Sequence, residues 1–161
     1  MRKRIYEKLK QLWDKETDPQ RLSLSIAVSI YVAFLPAIGF HTLIAFALGW
    51  LLGLNGALIF ALSHIVHNPL TALFIYAADY SFGEYLIPYL NIPRFAWNPE
   101  WLSSINNYLA THIGFPEISL AAFLIGGNCL ALLLSVIMYP VIRFSLYLYK
   151  KHRAFRKDEP L

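Results

Sequence analysis

His41, Thr42, Asn55, His64, His67, Asn68, Thr71 and Asp79 are the side chains with chemistry to offer in the middle of this sequence. Most of them fall in three short breaks: Pro36-Ala-Ile-Gly39-Phe-His41-Thr42, Leu54-Asn55-Gly56 and His67-Asn68-Pro69-Leu70-Thr71. Proline fits the first turn of a helix and asparagine is a good N-cap, so a helix is expected to begin at Pro69 behind Asn68. Gly39 and Thr42 allow a second start near His41. A helix N-terminus carries partial positive charge and N–H groups without intrahelical partners. Two such starts, each beside a His and a Thr, would hold an anion. The expected substrate-binding set is therefore His41, Thr42, Asn68 and Thr71, with His67 and Asn55 beside them. The plainer alternative is that the breaks are interfacial turns.

His64 and His67 are spaced i, i+3, and with His41 they make a candidate zinc set. No carboxylate or cysteine has a spacing that completes it, so no metal is expected. Asp79 is the candidate proton carrier, because an acid within an apolar membrane helix is costly and functional by default. It becomes a mere boundary residue if the helix ends there, and Glu84 reads as a boundary residue. No hydrolase elbow, phosphate loop, HExxH or dinucleotide fingerprint occurs. An enzyme is not expected, and neither are catalytic residues or a cofactor.

The elements that position these residues follow from charge. Hydrophobic residues make up 57% of the 161, and charged ones 15%. A soluble domain has about 25% charged residues. Between Leu22 and Ala78 there is no Lys, Arg, Asp or Glu, and Ile118 to Ile142 is also free of charge. A bilayer span needs about 20 such residues. Seven of the 14 basic residues precede Leu22 and six lie from Arg143 onward, Arg94 being the other. Basic residues hold flanking segments on the cytoplasmic side. Both termini are thus expected in the cytoplasm, with an even number of crossings, four being the favoured number. The net charge of +4 belongs to these flanks, so nucleic acid is not an expected partner. No cleavable signal peptide is expected, because the apolar run follows a long charged segment.

The expected fold is all-α: a polytopic transmembrane helical protein with short broken or re-entrant helices. Residues 1–18 read as an amphipathic interfacial helix on Ile5, Leu9, Leu12 and Trp13. The membrane domain covers 19–149. Its pieces between breaks are about 12–18 residues, and short helices interrupted by Gly and Pro mark broken membrane helices. Leu22–Leu54 and Asn55–Pro88 read as two weakly similar halves. Within the domain, 89–117 form an external loop carrying an interfacial helix that starts at Asn98-Pro99-Glu100. A long last helix covers 118–149, with Pro140 as its expected kink and Gly126 and Gly127 marking a close contact or a break. Residues 150–161 form a basic cytoplasmic tail. Ala45, Gly49, Gly53 and Ala57 are spaced by four, which lets helices approach closely in lipid. That stripe serves a homo-oligomer through Gly49 and Gly53 or the chain's own core. Cys129 is the single cysteine and excludes an intramolecular disulfide.

The order Pro36-x-x-Gly39-x-His41-Thr42, then Asn55, then Asn68-Pro69-x-Thr71, with Tyr76 and Gly83, resembles a family of small bacterial inner-membrane proteins known as domain of unknown function 2062. The resemblance covers about residues 20–150. It implies a bacterial inner-membrane location. Some members are joined to glycosyltransferase domains, which implies a link to envelope glycan or lipid-carrier metabolism. The family supplies no catalytic residues. Its shared motif residues are the same breaks that the physical argument selects. The expected function is a small transporter or flippase for an anionic lipid or lipid-linked phosphate. The expected partners are membrane lipids, an anionic isoprenoid phosphate among them. The alternative is a non-catalytic membrane scaffold or accessory subunit.

Overall fold

The structure is a computed structural model that describes residues 18–37, 39–94, 97–114 and 117–155. The described residues are helical and contain no strand. Six helices follow in order: α1 Pro19–Phe34, α2 His41–Leu51, α3 Gly56–Val66, α4 Ala72–Leu90, α5 Glu100–Ile113 and α6 Leu120–Phe155. The amphipathic helix expected over residues 1–18 falls on 1–17, outside the described residues. The chain forms two compact units. One takes the residues up to Asn68 and those from Ala131 on, and the other is Pro69–Leu130.

The first unit is built on α1. Asp18 accepts from the Gln20 amide (3.0 Å) and Pro19 opens the helix, as local propensity requires. Its buried face is small: Ser23, Ser25, Ala27, Ser29 and Ala33 lie beside Val28 and Val32. The Ser23 and Ser29 hydroxyls donate to the carbonyls four residues back, each at 2.6 Å, so these buried polar groups are satisfied within their own helix. The face packs on α2 and α3 through Val28, Val32, Ala45 and Ile59. From the middle of α6, Ser135 donates to the Ala27 carbonyl (2.8 Å).

α2 and α3 form a hairpin. Each has 11 residues, about 16 Å of rise. Gly53 stops α2 at φ +64°, with Leu54 N–H donating to Gly49 O (2.7 Å) and Gly53 N–H to Trp50 O (3.3 Å), the two bonds of a glycine-ended helix. Asn55 then caps α3 by accepting from the Ala57 and Leu58 amides. A Cβ built on Gly49 would stand 2.5 Å from Gly56 Cα, so the helices touch backbone to backbone. Gly49 is thus taken up inside the chain. Gly53 lies past the end of α2, so the four-residue stripe does not run along one helix.

In the second unit α4 crosses α6 at Gly83 and Gly126. A Cβ on Gly126 would collide with Asp79 O, and one on Gly83 with Ala122 O. The close contact expected at Gly126 is present. α4 begins at Ala72 with Thr71 as N-cap, three residues later than the expected start at Pro69. The cause is local: Asn68 Nδ2 donates to Ile65 O (3.1 Å), one of the last α3 carbonyls, which lack intrahelical donors. Asn91 ends α4 in the left-handed region (φ 52°), which Asn tolerates.

The 89–117 segment is pinned by side chains. Asn106 on α5 is buried; its Nδ2 donates to Ile118 O and its Oδ1 accepts from Ile118 N, both at 2.9 Å. Asn98, expected to cap α5, instead accepts from Leu120 N (2.7 Å) and so caps α6. Pro99 takes the N-cap position of α5. Glu84 pairs with Arg94 at 3.0 Å and accepts from Tyr80 at 2.8 Å. On α5, Trp101, Ile105 and Tyr108 face outward and Leu102 inward. Asn106→Ala takes the acceptor from the partly buried Ile118 N–H, while the Ile118 carbonyl keeps Asn98 Nδ2 (3.1 Å), and is expected to cost about 1–3 kcal/mol, read as a lower unfolding temperature in detergent.

α6 has 36 residues and continues through Pro140 to Phe155, past the expected end at residue 149. Lys, Arg and Leu are good helix formers, so the basic stretch prolongs the helix. Among the described residues α6 is the one helix long and apolar enough to cross a membrane, over Leu120–His152.

Candidate functional site

The hairpin brings the first break and the third together. His41 is the first residue of α2 and His67 caps α3, so both stand at the open end of the hairpin, with ring centroids 4.9 Å apart. Both reach the C-terminal end of α1. His67 Nδ1 is 2.7 Å from Ala33 O, and His41 Nε2 is 3.1 Å from Leu35 O. A carbonyl oxygen only accepts, so each of these ring nitrogens carries the hydrogen. These carbonyls lack intrahelical donors for a reason in the sequence: the residue before a proline is driven out of helical geometry, and Pro36 stops α1. Leu35 accordingly takes ψ 127°. The histidines act first as a clasp, closing the hairpin onto the negative end of α1.

His64 is not part of the clasp. Its Nδ1 is 3.0 Å from Phe60 O and its ring lies 4.2 Å from that of Phe60. Among the described residues no three His, Cys, Asp or Glu side chains converge on a metal position.

What the open end offers an anion is the start of α2. Asp18 caps α1 and Asn55 caps α3, but Phe40, at the N-cap of α2, gives no side-chain cap. Thr42 is exposed in that first turn. Asn68 follows His67 directly. Asn55 lies at the other end of the hairpin, one helix length of about 16 Å away, and is a capping residue. A Cβ on Gly53, at that same tip, would stand 3.8 Å from the Arg21 guanidinium. The tip is therefore level with the basic start of α1, and the clasp with its end.

The other expected site residues belong to the second unit. Thr71 caps α4 without a side-chain bond to the helix. Asp79 is fully buried, and neither carboxyl oxygen has a hydrogen-bond partner. The partners of the histidines, and the roles of Asn98 and Asn106, were not foreseen from sequence. The signal for the first was Pro36, which predicts unpaired carbonyls behind it.

These features define a small all-helical protein with a half-length apolar hairpin and a helix of membrane-spanning length. The model of a bacterial family, described as "Uncharacterized protein conserved in bacteria (DUF2062)", matches residues 2–154, and the chain belongs to that family. No curated protein and no solved structure matches the chain.

Proposed function

We propose that the chain is a polytopic protein of the bacterial inner membrane that carries an anionic lipid, or a lipid-linked phosphate, across the bilayer. The observation that carries the reading is the uncapped start of α2, with Thr42 exposed, at the open end of an apolar hairpin. The outer surface supports it: Leu43, Trp50, Leu51, Val136 and Phe144 are each at least half exposed. Side chains of this kind are at home in lipid. The basic residues before Leu22 set the tip of the hairpin at the cytoplasmic headgroups, with both termini on that side. The clasp then stands about 16 Å deeper, near the middle of a hydrocarbon layer about 30 Å thick. Broken-helix transporters hold anionic groups at that depth.

In this reading the phosphate sits on the first-turn amides of α2 and the Thr42 hydroxyl, with Asn68 beside it. His41 and His67 contribute their second ring nitrogens as donors only when doubly protonated, since the first is spent on α1. Native mass spectrometry of protein released from bacterial membrane tests the assignment. Wild type should retain an anionic lipid, and Thr42→Val and Asn68→Ala should each retain roughly tenfold less, one charge-assisted hydrogen bond being about 1.5–3 kcal/mol. Equal lipid in wild type and both variants sinks the reading.

A further inference from the structure

Asp79 is the feature that the lipid site does not use. It lies midway along α4, is fully buried, and has no donor to either carboxyl oxygen. Its own backbone carbonyl abuts Gly126, in the stretch where α4 and α6 meet through Gly83 and Gly126 with no side chain between them. The neighbouring groups do not relieve the acid. On α4, the Tyr76 ring lies 5.5 Å edge-on to Phe123 and the Tyr80 hydroxyl is spent on Glu84. Glu84 and Arg94 pair with each other. On α6, over Leu120–Leu130, the one titratable side chain is Cys129, which is exposed.

An ionised carboxylate stripped of donors is far costlier than the neutral acid. A metal cation does not resolve this, because no further carboxylate, His or Cys joins Asp79 as a ligand set among the described residues. A proton does. We propose that Asp79 is a proton-exchange site, holding its proton while the Gly83–Gly126 contact is closed and releasing it to water when that contact opens. The step is a simple one: the acid gives up one proton to leave the carboxylate, and takes one back on closing. The inference rests on the transport reading only for what the proton drives. It gives that reading a coupling ion.

The test needs no lipid substrate and is independent of the lipid-binding assay. Full-length protein in detergent is treated with dicyclohexylcarbodiimide, which reacts with protonated carboxyls in apolar surroundings, and in parallel with a water-soluble carbodiimide. Peptide mapping locates the adducts. The expected result is modification of Asp79 by the apolar reagent alone, falling several-fold from mildly acidic to mildly alkaline buffer and unaffected by sodium or potassium ions. Glu84, which is partly exposed, should react with the water-soluble reagent. Asp79→Asn mimics the neutral acid, should unfold at the wild-type temperature, and should lose the adduct. Labelling that does not change with pH would make Asp79 a permanent structural acid and overturn the proposal. So would absence of labelling, or protection by sodium. The wild-type labelling decides the matter even if the Asn variant does not fold.

Discussion

Gly49→Leu is expected to open the α2–α3 hairpin and to be the most damaging single change in the first unit. The physical reason is distance. The first side-chain atom would stand 2.5 Å from Gly56 Cα and 2.8 Å from Gly56 N. Backbone atoms have no rotamer to escape into, so the helices must separate. Separation also breaks the stacked Phe46–Phe60 pair, whose centroids are 6.0 Å apart, and the packing of Ala45 and Ile59 on α1. A cost of about 3 kcal/mol or more is expected, at the upper end for overpacking. Thermal unfolding in detergent measures it. Ala47→Leu, one turn-face away and exposed, is the control and should stay within about 0.5 kcal/mol of wild type. If Gly49→Leu unfolds like the control, the hairpin contact is wrong. A variant that folds normally but dissociates an oligomer would move Gly49 from the chain's interior to an interface between copies.

The second large effect is expected at the α4–α6 crossing. Gly126→Ala adds one methyl group, and that group would overlap Asp79 O and come within 2.7 Å of Gly83 Cα. Gly83→Ala would run into Ala122 O in the same way. Each should destabilise by about 2–4 kcal/mol, and the double variant by less than the sum, because the first change already parts the helices. Gly114→Ala separates this from the ordinary cost of losing a glycine. Gly114 has a left-handed φ of +66° but open space where a Cβ would go, so about 1 kcal/mol is expected there. Denaturation curves of the four variants under one detergent condition give the comparison. Gly126→Ala no worse than Gly114→Ala would refute direct contact of the backbones.

The parts of the fold that were legible in the sequence are those decided within a few residues. Asp18-Pro19 starts α1, Asn55 caps α3, and the charge-free stretch from Ile118 becomes one long helix, because capping and helix propensity act locally. The breaks were legible too, since Pro and Gly leave few backbone choices. What was not legible depends on partners distant along the chain. Asn98 looked like the cap of the helix just after it and serves α6, 22 residues on. His41 and His67 looked like anion ligands, while their nearest partners are carbonyls of α1, 6 and 34 residues away. Asn68 looked like the start of α4 and bonds back to the end of α3. In each case a polar side chain had two helix ends within reach, and tertiary placement chose between them. The candidate site was legible as a location, the first and third breaks, but not as a geometry.

The hairpin has a consequence for how the protein is made. Isolated helices of 11 residues are marginal, so neither α2 nor α3 is a stable intermediate. Nor is either long enough to be received by the bilayer as a separate span. From Leu22 to Ala78 there is no charge to mark where one piece ends and the next begins. In a membrane, the nascent hairpin must therefore enter as one cooperative event, with Gly49 meeting Gly56 as it goes in. In the proposed topology its orientation is dictated from outside it, by the basic residues that precede Leu22. A lysine placed at Gly53 would burden the finished fold as well, through the left-handed φ of +64° and the Arg21 guanidinium beside that tip.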